Sequence, residues 1–127
     1  NADKAIHEAC RLTGAKVTEY TAAPVYFGEH HNGAHEWLIE FEVMPAGGLD
    51  EFTRTLDENL KQLNSDYEAK RSYNLSLDRP VVKAMGKDTF YDWMKYTGRI
   101  GGQNKVPKLS NDRKYVDSIL EFVRVKS

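Results

Sequence analysis

The sequence predicts an α+β domain, a small mixed or antiparallel sheet of three to four strands with helices packed on it. Three observations carry that expectation. Residues 35–43, HEWLIEFEV, alternate apolar and acidic side chains with the period of a strand. His31, Asn32 and Gly33 precede them and signal a hairpin, because Asn and Gly both accept positive φ. On either side lie stretches whose apolar residues recur every three or four positions, the spacing of an amphipathic helix.

Taken in order, Ala5, Ile6, Ala9 and Leu12 make one helical face, and Gly14 can close that helix as its C-terminal cap. Residues 16–28 read as a strand, with Pro24 marking an edge or a bulge. In the strand after the hairpin, Trp37, Ile39, Phe41 and Val43 point one way and Glu36, Glu40 and Glu42 the other, with Leu38 the exception. The three glutamates read as its wet face. After the MPAGG turn, Leu49, Phe52, Leu56, Leu60 and Leu63 form the stripe of a second helix. A short helix starts at Ser65 or Asp66, RPVVKAM is a third main strand, and YNLSL is a further extended piece. Asp88 caps a helix whose buried side is Phe90, Trp93, Met94 and Thr97 and which ends at Gly98. Asn111 or Asp112 opens the last helix, with Tyr115, Val116, Ile119, Leu120 and Val123 facing the core.

The 127 residues fit one domain, with no repeat and no low-complexity tract. No apolar run approaches the roughly 20 residues of a membrane span, so no membrane partner is expected. Cys10 stands alone, which excludes an internal disulfide and points to a reducing cytoplasm; it reads as a small buried residue on a helix. The chain opens at Asn1 in a helical pattern, as a piece of a longer protein or a processed chain would.

Charge is unevenly placed. Residues 1–98 hold 11 basic and 16 acidic side chains; residues 99–127 hold 7 basic and 3 acidic, a local excess of four positive charges that attracts anions. Nucleic acid is not the expected partner, because this quarter lacks exposed aromatics interleaved with its cations. Neither a P-loop nor a dinucleotide fingerprint occurs. His30, His31 and His35, with Glu29 and Glu36, match no zinc spacing, and no metal site is expected. His7 and Cys10 share one helix at i, i+3, with nothing to orient the histidine.

Residues 98–113, GRIGGQNKVPKLSNDR, form a long connection between two helices, with three glycines, one proline and several basic side chains. Connections of this length are uncommon unless functional or disordered. Pro107 excludes the α-conformation at Val106, so the chain around Lys105 is extended, and the glycines let the rest bend. A lysine so placed can reach away from its own domain toward a phosphate or carboxylate. On local chemistry alone it remains a plain surface lysine.

The segment from Leu60 to Leu109 resembles the C-terminal domain of the auxin-responsive-promoter family of acyl-acid amido synthetases, adenylate-forming enzymes of the luciferase-like superfamily. The matching residues are Asn64, Tyr67, Arg71, Thr89-Phe90, Trp93-Met94, Gly98, Gln103, Lys105, Pro107 and Lys108. GAHEWLIEFE upstream and LSNDRKYVDSIL downstream look like the bacterial members, so the likeness covers nearly the whole chain. The resemblance implies that residues 1–127 are a single C-terminal lid domain of a longer enzyme. A large N-terminal adenylation domain would be its partner and would bind ATP, Mg and the substrates, a carboxylic acid and an amino acid. It implies Lys105 as the catalytic lid lysine, with Gln103, Asn104 and Lys108 toward the nucleotide. The isolated domain would be inactive, with its loop exposed. Two departures stand out: Lys108 replaces the arginine frequent after the proline, and cannot form a bidentate fork; Lys87 and Asp88 separate Gly86 from Thr89-Phe90 where the family usually has glycine adjacent. The other reading is a non-catalytic module that binds an anion or a peptide.

Overall fold

A computed structural model describes residues 1–27, 32–74, 76–98 and 106–126. The elements are α1 (Ala2–Thr13), β1 (Lys16–Tyr26), β2 (Gly33–Val43), α2 (Gly48–Leu63), α3 (Ser65–Arg71), β3 (Val81–Met85), α4 (Thr89–Tyr96) and α5 (Lys114–Lys126), with a single 3-10 turn at Ser72–Asn74. The three strands run in the order β1-β2-β3. β1 pairs antiparallel to β2, and β3 parallel to it after the crossover through α2 and α3. The fold is therefore the α+β arrangement that alternation and helical spacing predict, with a mixed sheet.

The sheet is covered on both faces. Trp37, Ile39 and Phe41 of β2, with Tyr20 and Ala22 of β1, pack against α1, α2 and Tyr67 of α3. Ala2, Ala5 and Ala9 line the buried side of α1, and their small side chains let it lie close on α2. On the opposite face, Ala23 and Leu38 pack against Phe90 and Trp93 of α4 and Val116 and Ile119 of α5. Leu38, fully buried, is the break in the alternation that marks this second core.

Several expectations change accordingly. Glu36 and Glu40 are buried, not the wet face of a strand, because α4 and α5 cover them. Leu12 is exposed and Thr13 takes its place, its Oγ1 donating to the Ala9 carbonyl. Asp88 makes no side-chain cap; the first turn of α4 is held by Glu40 Oε1, which accepts from Phe90 N–H at 3.1 Å. Thr97 is exposed. The YNLSL stretch gives the 3-10 turn and an isolated bridge of Leu77 to Gly33. The expected caps at Gly14 and Gly98 are present, with φ near 74° at both, the left-handed conformation that glycine adopts without steric cost.

Candidate functional site at the sheet edge

The second half of the long connection is docked on β1, although Lys108, Leu109, Asn111 and Asp112 remain exposed. Val106 is buried among the α4 and α5 side chains. Thr21 Oγ1 donates to the Pro107 carbonyl at 2.6 Å. Ala22 N–H donates to the Lys108 carbonyl at 2.9 Å, and Ser110 N–H to the Ala22 carbonyl at 3.0 Å, with Leu109 opposite Ala22 in a parallel bridge. Residues 106–110 thus act as a strap, a fourth strand in miniature on the outer edge of the sheet. An extended residue before proline supplies the shape, and buried Val106 supplies the anchor.

Charge holds the strap at Lys108 and the chain just beyond it at Arg113. The Lys108 ammonium bonds the Glu19 carboxylate and lies 4.6 Å from the centroid of the Tyr20 ring, within cation–π range. The Tyr20 hydroxyl donates to Asp3 at 2.5 Å; burial and that carboxylate push its pKa up. Beyond the strap, Arg113 donates to the Pro24 carbonyl at 2.8 Å, to Glu36 at 2.7 Å and to Asp117 at 2.8 Å. Lys83 holds the other oxygen of Glu36 at 2.7 Å. Burial works to raise the Glu36 pKa, but the bonds from Lys83 and Arg113 outweigh it and hold the carboxyl below its usual range. Asp112 caps α5, accepting from Lys114 N–H at 2.9 Å.

Lys108 is thus the one predicted site residue that falls among the described residues; Gln103, Asn104 and Lys105 lie outside them. So do Glu29, His30 and His31 of the hairpin. His35 is half-buried against Tyr67, ring centroids 6.5 Å apart, and burial together with Lys70 lowers its pKa, which keeps it neutral. No group of three metal-ligating side chains forms among the described residues. Cys10 and His7 line a groove between α1 and β1 that also holds Asp3, Tyr20 and Lys108; burial raises the thiol pKa, the opposite of nucleophile activation.

The other motif residues have structural duties. Asn64 caps α3, its side chain accepting from Tyr67 N–H at 3.1 Å. The Tyr67 hydroxyl and the Arg71 guanidinium converge on the buried carboxylate of Asp57, at 2.6 Å from Tyr67 and at 2.8 and 2.6 Å from Arg71. Burial alone would raise the Asp57 pKa; the bonds from Arg71 and Tyr67 bring it below the ordinary value. Phe90 and Trp93 are core, and Trp93 Nε1 donates to Ser118 at 2.9 Å. Sequence reasoning missed Thr21, Glu19 and Asp57 altogether, and no period or motif singles them out.

Among the described residues, four of the five cations of the basic C-terminal quarter are paired with carboxylates of the domain. Lys108 pairs with Glu19, Arg113 with Glu36 and Asp117, Arg124 with Glu121, and Lys126 with Asp92. Cations so engaged leave a weaker field for an external anion than the count of charges suggests.

Comparison with known proteins places this geometry in context. The family model of the GH3 family C-terminal domain matches residues 1–114. No curated protein sequence matches. Among solved structures, the chain is similar to "AtGH3.15 acyl acid amido synthetase in complex with 2,4-DB", with a TM-score of 0.72 and 14% identity over 94% of this chain and 23% of that one. A second structure, "GH3.15 acyl acid amido synthetase", gives a TM-score of 0.70 and 15% identity over 93% of this chain and 21% of that one. The chain therefore spans less than a quarter of the length of these solved proteins.

Proposed function

The chain belongs to the GH3 family, whose C-terminal domain it represents, and on that premise we propose that it is the mobile C-terminal domain of an ATP-dependent acyl-acid–amino acid ligase that supplies Lys105 to the active site. Two steps make up the reaction. A carboxylate attacks the α-phosphate of ATP, giving an acyl-adenylate and pyrophosphate; an amino acid's amine then displaces AMP to form the amide. In the first step two anions must meet. An ammonium brought in by closure of the domain neutralises the charge that develops between them, in a site that closure has freed of water.

The observation that supports this reading most directly is the strap. It ties residues 106–110 to a rigid sheet edge, and Lys105 is the residue just before it. Sites held by strands are better placed than sites on free loops. The ammonium groups of Lys105 and Lys108 suit an anion, and residues 103–108 hold no carboxylate for a magnesium ion, so ATP and its Mg would be held mainly by the N-terminal domain. Lys108 would have to leave Glu19 before touching a nucleotide. The same reading makes the whole protein a bacterial, cytoplasmic ligase with this domain as its closing lid. It is supported by the likeness of residues 33–42 and 109–120 to bacterial members.

The test is Lys105→Ala in the full-length enzyme. Pyrophosphate exchange should slow by roughly 10²–10³, the usual cost of one lost transition-state donor. A rate near that of the unmutated enzyme would remove Lys105 from the chemistry.

A further inference from the structure

We propose that Thr21 is a positioning residue for the adenylation step. Through its bond to the Pro107 carbonyl it sets the path by which the chain leaves the sheet edge toward Lys105. This inference rests on the function proposed above and adds to it a residue on β1, 84 positions earlier in the chain than Lys105.

Thr21 has no exposed surface. A buried hydroxyl on a strand is costly unless it is hydrogen-bonded, and valine would fill the same space at no such cost. The hydroxyl spends its donor on the strap, on a carbonyl 86 residues away, at 2.6 Å. The two backbone bonds at Ala22 would form with almost any residues in the strap, and they fix its register. The bond from Thr21 depends on side-chain chemistry, as the Lys108–Glu19 pair does, and of the two it acts at the point nearer Lys105. Val106, between that bond and Lys105, is locked in the core. With the carbonyl of residue 107 fixed from one side and the side chain of residue 106 from the other, the backbone at 106–107 has little freedom to swing. Displacing a catalytic group by an ångström can cost on the order of 10²-fold in rate.

The discriminating experiment is a double-mutant cycle in the full-length enzyme, read by pyrophosphate exchange. Thr21→Val should lower kcat by roughly 10–100-fold and leave the KM for ATP unchanged, because the group being placed acts only in the transition state. Thr21→Ser, which retains the hydroxyl, should restore the rate. On the Lys105→Ala background Thr21→Val should cost nothing more, since there is no longer a lysine to place. A Thr21→Val enzyme with unchanged kcat, or one that loses the same factor with and without Lys105, overturns the inference. If Thr21→Val melts below the assay temperature, Thr21→Ala against Thr21→Ser makes the same comparison with less bulk in the core. The two readings fail separately: a fully active Lys105→Ala enzyme removes the proposed function, whereas a slow Lys105→Ala enzyme that is equally sensitive to Thr21→Val removes only the role of Thr21.

Discussion

Asp57 carries a full charge at a place where only 5% of the residue reaches solvent. It is held there by three hydrogen bonds of 2.8 Å or less, from a hydroxyl and a two-pronged guanidinium. Such a pair need add little to net stability, but removing one partner strands the other. Arg71→Ala should therefore destabilise the domain by roughly 3–5 kcal/mol, and Tyr67→Phe by about 1–3 kcal/mol, the range for a lost bond to a charged group. Denaturant melts of the two variants should rank them in that order; equal losses would mean that Arg71 is not the principal counter-charge. Asn64, Tyr67 and Arg71 were legible as a motif without their purpose being legible. The carboxylate that Tyr67 and Arg71 serve lies on a different helix, 14 positions before Arg71, and spacing within one helix cannot reveal a partner on another.

One buried side chain fastens α4 to the sheet. Glu40 accepts from the Phe90 amide with one oxygen and from Thr18 Oγ1 at 2.7 Å with the other. Thr18 reaches it because the β1–β2 register shifts next to Val17, leaving Thr18 as the extra residue of a bulge. Replacing Glu40 with Ala should cost roughly 1–3 kcal/mol, most of it from stranding these donors. Amide exchange should quicken selectively in the first turn of α4, and protection unchanged there would contradict the capping role. The period of β2 told correctly which residues share a face and placed Trp37, Ile39 and Phe41 in the core. It could not tell whether the opposite face is open or covered, because two-residue alternation looks the same until a helix is laid over it. Leu38 was the available sign, a large apolar side chain among glutamates. The helices themselves were readable because their stripes and their glycine caps are local, whereas the strap was not, since its partner Thr21 on β1 lies 86 residues from Pro107.

At the scale of the molecule the buried carboxylates act together on pH stability. Asp57 and Glu36 both sit below the ordinary carboxylate pKa in the folded state. Their contribution is complete above about pH 4–5, where the unfolded chain is also ionised, and is lost as pH falls through their folded values. His35 is depressed as well, so the unfolded chain binds its proton first and stability begins to decline gently below about pH 6.5. Thermal melts should show a nearly level Tm above about pH 7, a shallow fall from there, and a steep one below about pH 4. A Tm that holds level into strong acid would mean that these carboxylates are not ionised in the fold. The strap has one more effect at this scale. Along the outer edge of β1, the Tyr20 amide is satisfied by the Glu19 carboxylate, Ala22 by the strap on both its groups, and the Pro24 carbonyl by Arg113. These three alternate residues are already engaged, which breaks the ladder a foreign strand would extend along β1. The same few residues that dock the long connection also blunt this edge of the sheet against a neighbouring strand.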